Sequence, residues 1–131
     1  MRKVVSITPG EITDANNTGA AITRLRIRVA DLTTFPAPSG IADLRPRTST
    51  DLTNVTVDRA PCGTGTSVVV VRGSTLEQPP SQPNGGGFNS SMSVAIPGGS
   101  LANGASINVR FLLGLQQVGT FKFLVNVEAL P

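Results

Sequence analysis

From Leu101 to Leu130 the chain reads LANGASINVRFLLGLQQVGTFKFLVNVEAL, and its apolar residues recur at every second position. Ile107, Val109, Phe111 and Leu113 alternate with Ser106, Asn108, Arg110 and Leu112. Phe121, Phe123, Val125 and Val127 alternate with Lys122, Leu124, Asn126 and Glu128. A period of two sends successive side chains to opposite faces of an extended chain, so both runs predict β-strands with one buried face. The Gly-Leu-Gln-Gln-Val-Gly connector between them predicts that they pair antiparallel. Phe111, Phe121 and Phe123 are the expected core anchors, because the chain has five Phe and neither Trp nor Tyr.

The rest of the chain repeats the pattern. Short strands are expected over residues 3–8, 21–31, 54–58, 67–72 and 91–96. With the two C-terminal runs these make seven. Fourteen Gly and ten Pro supply the turns, and no window carries a helical period beyond about two turns. The expected fold is therefore a single all-β domain over residues 1–131, an antiparallel, immunoglobulin-like sandwich of about seven strands. In residues 21–31, Leu25, Ile27 and Val29 face one way, and Arg24, Arg26 and Arg28 the other. Such an arginine ladder predicts a solvated sheet face. Val68 to Val71 is apolar on both faces, as in a covered strand. The prolines at 36, 38 and 46 argue against a central strand over 33–50.

Two irregular segments stand out. In the 33–46 loop, Asp43 and Arg45 are expected to pair or to bond loop backbone. In the 79–89 loop, Asn84-Gly85-Gly86-Gly87-Phe88-Asn89 permits sharp backbone turns. At least one of the three glycines should take positive φ, Phe88 should anchor the loop, and Asn84 and Asn89 should bond its backbone. The three glycines lack the Lys-Ser/Thr and the helix of a phosphate loop.

Composition bears on function mainly by exclusion. Histidine is absent, which removes Ser-His-Asp and Cys-His catalysis and the usual zinc ligands. Cys62 is the only cysteine, so the chain has no internal disulfide. Nine of the eleven basic residues are Arg and the net charge is +3, a scattered basicity without the dense cluster and aromatic platforms of a nucleic-acid binder. No apolar run is long enough to insert in a membrane. No leader is legible after Arg2-Lys3, so export would need one outside this sequence. Asp14, Asn16 and Asn17 are spaced as an Asx turn, with a weak calcium site as the sharper alternative. Lys3 on the first expected strand, Asn126 on the last and Glu128 beside it have the residue types of an intramolecular isopeptide bond. The plainer reading is three solvated polar side chains. No catalytic residue, cofactor or metal is implied, and an enzyme is not expected.

Several stretches carry a resemblance: residues 16–26, Ala42-Asp43-Leu44-Arg45, residues 82–91 and residues 104–114. The chain resembles a group of uncharacterised β-sandwich modules found near the C-termini of large secreted or surface proteins of environmental bacteria. The resemblance covers most of the chain, and Gln-Pro-Asn-Gly-Gly-Gly-Phe-Asn is its most specific part. It implies an extracellular or cell-surface setting and homotypic or adjoining modules as partners. It brings no catalytic residues, and no upstream modules accompany this sequence. The expectation is a non-enzymatic structural module of a bacterial surface assembly. The alternative is an adhesion module that takes a glycan or protein ligand on the 79–89 and 33–46 loops.

Overall fold

The computed structural model describes residues 11–33, 43–61, 63–78 and 85–131. Ten strands lie among them: β1 (Glu11–Ala15), β2 (Arg24–Leu32), β3 (Asp43–Arg47), β4 (Leu52–Asp58), β5 (Thr66–Val71), β6 (Ser74–Gln78), β7 (Ser91–Val94), β8 (Ser106–Arg110), β9 (Leu112–Gln117) and β10 (Phe123–Leu130). The chain is all-β and sandwich-like, and every ladder between these strands is antiparallel. Three strands were not expected: β1, β3 and β6. A fourth arises because the run from Ser106 to Leu113 breaks at Phe111 into β8 and β9. The strand expected over residues 3–8 lies outside the described residues.

One sheet runs in the order β10-β2-β7-β6. The remaining strands form three pairs: β1-β8 and β3-β9, which supply core residues facing that sheet, and β4-β5. A parallel bridge between Arg72 and Val109 ties β5 to β8, through Arg72 N–H to Asn108 C=O and Arg110 N–H to Arg72 C=O, both 2.8 Å. The core lies between these layers. Leu25, Ile27, Val29 and Leu32 of β2, Met92 and Val94 of β7, and Phe123 and Val125 of β10 meet Leu44 of β3 with Ile107 and Val109 of β8.

β2 is the inner strand, flanked by β10 and β7. Its odd-numbered residues from Leu25 to Val29 are buried and the arginines between them are not, as the alternation predicts. A bulge then interrupts its ladder with β10. Leu124 pairs with Asp31, but Val125 pairs with Val29, so Ala30 is left over. The extra residue shifts the alternation, and the even-numbered Leu32 faces the core opposite Phe123.

The antiparallel pair expected at the C-terminus does not form. The first run pairs with β1 through β8 and with β3 through β9, and the second pairs with β2 through β10. Alternation identifies a strand but not its neighbour, and β9 runs on from the first run into the connector as far as Gln117. Of the expected anchors, Phe123 is buried at 7% exposure and Phe111 is half-buried against it, edge to face, with ring centroids 5.5 Å apart. Phe121 is 53% exposed, because it precedes β10 and sits in the turn leading into it. Val68 and Val70 are also exposed. Only β4 and β8 flank β5, and no layer among the described residues covers that face.

Pro46 does sit within a strand. β3 pairs with β9 alone among the described strands, so the missing Pro46 N–H costs no second ladder. A buried seam then closes the space between β3, β6 and β8. Ser49 Oγ donates to Arg110 C=O at 2.7 Å and accepts from Ser74 N–H at 2.8 Å.

Replacing Phe123 by Ala should destabilise the fold by about 3–5 kcal/mol, and Phe121→Ala by less than about 1 kcal/mol. Urea unfolding of both variants checks this. Equal losses would mean that the C-terminal register is misassigned.

Candidate functional site

Two places gather the residues that sequence singled out or a cavity exposes. The first is the glycine loop on β3. Gly85 has φ +100°, and Gly86 donates its N–H to Pro46 C=O at 2.7 Å. A Cβ on Gly85 would come within 2.6 Å of that same carbonyl oxygen. One on Gly86 would lie 2.7 Å from Ser90 Oγ and 2.9 Å from Leu76 Cδ1. Gly is required at both positions because the loop backbone itself is the packing surface. Ser90 closes the turn, its hydroxyl donating to Gly87 C=O at 2.7 Å.

Asp43 and Arg45 lie on the same face of β3, two residues apart, and form an ion pair of 2.9 Å. Gly87 packs beside Arg45, so the described part of the glycine loop and the end of the 33–46 segment meet. Asn89 takes φ +63°, a left-handed conformation that Asn tolerates. It does not bond its own loop as expected. Its N–H donates to Val29 C=O at 3.0 Å, and its Oδ1 accepts from Arg28 Nη1 at 3.4 Å. Phe88 is not the anchor: it is 72% exposed. The buried glycines and Ser90 hold the loop, which leaves the ring free to face outward. Asn84 lies outside the described residues.

Arg28 extends this patch across the sheet. Arg26 and Arg28 grip opposite oxygens of Glu128, with Arg26 Nη2 at 2.5 Å and Arg28 Nε at 2.9 Å. The arginine ladder is thus more than a solvated face, since two of its members clamp β2 to β10. The hydrogen bonds from Arg28 and then Arg26 hold the Glu128 carboxyl below the ordinary glutamate range. Asp31 is lowered by Lys122, and Asp51 by the Gly73 N–H and then Arg72. Asn126 sits opposite Arg28 in the ladder. Lys3, the third residue of the isopeptide arrangement, lies outside the described residues, as does Cys62. Glu128 spends both oxygens on arginines, whereas an acid assisting such a bond has to carry a proton.

The second place is a half-open cavity of about 500 Å3 at the end of the sandwich where β10 finishes. Ile22, Leu25, Leu101, Ile107, Val127 and Ala129 form its apolar wall, and the segment from Asp14 to Thr18 forms its polar side. Asn16 is buried there and fully engaged. Its Nδ2 donates to Ala20 C=O and Leu101 C=O, both at 2.8 Å, and its Oδ1 accepts from Thr18 N–H at 3.1 Å. This is the expected Asx turn. Among the described residues no group of three or more His, Cys, Asp or Glu could hold a metal.

Compared with known protein families, curated proteins and solved structures, the chain matches none. The functional reading therefore rests on geometry. These places are an exposed ring on the glycine loop and an apolar hole with a polar lip. Sequence reasoning missed the cavity, whose walls come from segments far apart in the chain.

Two outcomes follow from this geometry. Gly86→Ala should destabilise by about 2 kcal/mol or more, because its clash falls on buried atoms. Gly98→Ala, with positive φ but open space around it, should cost only about 1 kcal/mol. Melting curves of the two variants rank them.

A carboxylate whose folded pKa is lowered stabilises the fold above its unfolded pKa and loses that contribution as pH falls through the folded one. Asp31, Asp51 and Glu128 should thus stabilise at neutral pH and begin to lose that stabilisation below their ordinary values of 3.8, 3.8 and 4.5. Glu128→Gln should lower stability at pH 7 by up to about 1 kcal/mol and flatten the acid limb of a Tm-against-pH curve.

Proposed function

We propose that the chain is a non-enzymatic structural module of a bacterial surface or extracellular assembly, serving as a spacer, cap or subunit. One observation carries this reading: the ion pairs between elements serve as braces. Glu128 clamps β10 to β2 through Arg26 and Arg28, and Lys122 holds the turn before β10 to Asp31 of β2. Arg72 ties the end of β5 to Asp51 ahead of β4. These pairs stand at separate stations along the sandwich and stiffen neighbouring strands. The resemblance to exported bacterial modules supplies the setting, with homotypic or adjoining modules as the partners.

A second reading has an observation of its own. The glycine loop and β3 meet through Gly86 and Pro46, which brings described parts of the 79–89 and 33–46 segments onto one surface. The exposed Phe88 stands next in sequence to Asn89, which Arg28 contacts. An exposed aromatic ring offers a face on which a glycan or a polypeptide can stack.

Antibody labelling of intact producing cells tests the first reading, which expects surface signal without permeabilisation. Glycan and polypeptide arrays probed with the purified chain separate the two. The structural reading expects no ligand above background. The adhesion reading expects a hit that Phe88→Ala weakens by about tenfold.

A further inference from the structure

The exposed valines of β5 share their face with a sequence motif on β4. Thr56 of β4 pairs with Val68 of β5, and Val55 with Val69. The bulge between Leu52 and Val55 sets Thr53 and Asn54 against Val70. Successive residues point to opposite faces of a strand, so Asn54, Thr56, Val68 and Val70 lie on one face of the hairpin, and all four are exposed. Val68 is 64% exposed. β4 pairs with β5 alone among the described strands, so its outer edge is open as well. Apolar side chains next to an open strand edge are a liability that β-proteins cover or blunt.

Asn54-Val55-Thr56 is an Asn-x-Ser/Thr triplet, the acceptor sequence for an N-linked glycan. The chain holds three such triplets, beginning at Asn16, Asn54 and Asn89. The fold closes two of them. The atom that takes the sugar is the side-chain amide nitrogen. Asn16 is buried, and that nitrogen donates to the carbonyls of Ala20 and Leu101. At Asn89 the third residue of the triplet, Ser91, is buried in β7 between β2 and β6, where its hydroxyl is out of reach. At Asn54 both the amide and the Thr56 hydroxyl stand on the exposed face.

We propose that Asn54 is a glycosylation site and that its glycan covers the valine face of the β4-β5 hairpin. The substrate is an oligosaccharide carried on a polyprenyl diphosphate. The Asn54 amide nitrogen bonds to the anomeric carbon of the first sugar. The bond from that carbon to the diphosphate oxygen breaks, polyprenyl diphosphate leaves, and the amide gives up one proton. The site rests on the extracellular setting proposed above, because this modification marks the surface of secreted chains. Asn54 and Thr56 are two residues, or about 7 Å, apart along β4, and Val68 lies directly across from Thr56. A bulky, hydrated glycan rooted at Asn54 therefore reaches over Val68 and Val70 and obstructs pairing at the open edge.

Mass spectrometry of the chain recovered from producing cells tests this. Trypsin releases Asn54 on the peptide from Thr48 to Arg59. That peptide should carry a glycan that peptide N-glycosidase removes, leaving Asp in place of Asn, and the peptides holding Asn16 and Asn89 should be unmodified. A bare peptide from chain that antibody labelling finds at the cell surface would overturn the site and leave the structural reading standing. A chain that is bare and inside the cell would overturn both. A second arm needs no cells. Purified, folded chain is incubated with an oligosaccharyltransferase that reads Asn-x-Ser/Thr and with a polyprenyl-diphosphate oligosaccharide. It should gain a glycan at Asn54 alone. Asn54→Gln and Thr56→Ala should each abolish the transfer and leave the melting temperature nearly unchanged. No transfer, or transfer to Asn16 or Asn89, would overturn the assignment. The glycosylated chain should also bind an apolar dye more weakly than the bare chain, and Val68→Thr/Val70→Thr should lower the bare chain to the same level. Dye binding unchanged by the glycan would overturn its covering role.

Discussion

The whole architecture depends on burying one face of β2. Ile27 and Val29 are almost completely inaccessible, and the strand carries a partner on each side. Burying a side chain of this size is worth roughly 1.5–3 kcal/mol, so Leu25, Ile27 and Val29 decide which face turns inward. Once that face is set, Arg26 and Arg28 have to point outward, and Glu128 on β10 is there to receive both. The clamp follows from the burial. Apolar packing selects the register, and the ion pairs reinforce it at a half-exposed surface where each alone is worth little.

The sequence disclosed strands better than partners. The alternation at Leu25–Val29 and Phe123–Val127 is real: Leu25, Ile27, Val29, Phe123 and Val125 are buried, and Val127 is half-buried beside the cavity. Which strands lie side by side depends on the closure of distant segments, and period-two patterning carries no information about that. Gly114 to Gln117 read as a connector because its glycine and glutamines look polar, yet they continue β9, an exposed strand beside β3 that tolerates them. Phe121 shares the parity of Phe123 but precedes the strand, and parity does not mark where a strand begins. The glycine loop was legible in its backbone and illegible in its side chains. Gly85 and Gly86 are forced by close approach, whereas the exposure of Phe88 depends on which neighbours arrive. Asp43 and Arg45 pair as expected, two apart on one face of a segment that is a strand rather than a loop.

The polar interior follows the same logic on a smaller scale. Asn16, Ser49, Ser74 and Ser90 are buried, and each is hydrogen-bonded to backbone from another part of the chain. Among the described residues no buried side-chain nitrogen or oxygen lacks a partner. A chain with few aromatic residues has limited apolar volume to spread over a sandwich. Short hydroxyl and amide side chains fill the seams between sheets and satisfy carbonyls that no ladder reaches. Ser49 and Ser74 do this where β3, β6 and β8 converge, and Asn16 does it beside the cavity.

The leftover Ala30 gives β2 a property that a regular strand lacks. Upstream of it the inward residues are odd-numbered, and downstream Leu32 is inward at an even number. Removing Ala30 would bring Leu32 into phase with Leu25, Ile27 and Val29 and leave Asp31 facing outward. The strand therefore contains an internal phase step that can be taken out without turning any core side chain to solvent. Length changes in β-proteins are usually confined to loops, because a one-residue slip inverts every face beyond it. Here the slip is already present and already accommodated by the neighbouring strand, so a deletion at this point would be absorbed inside the sheet itself.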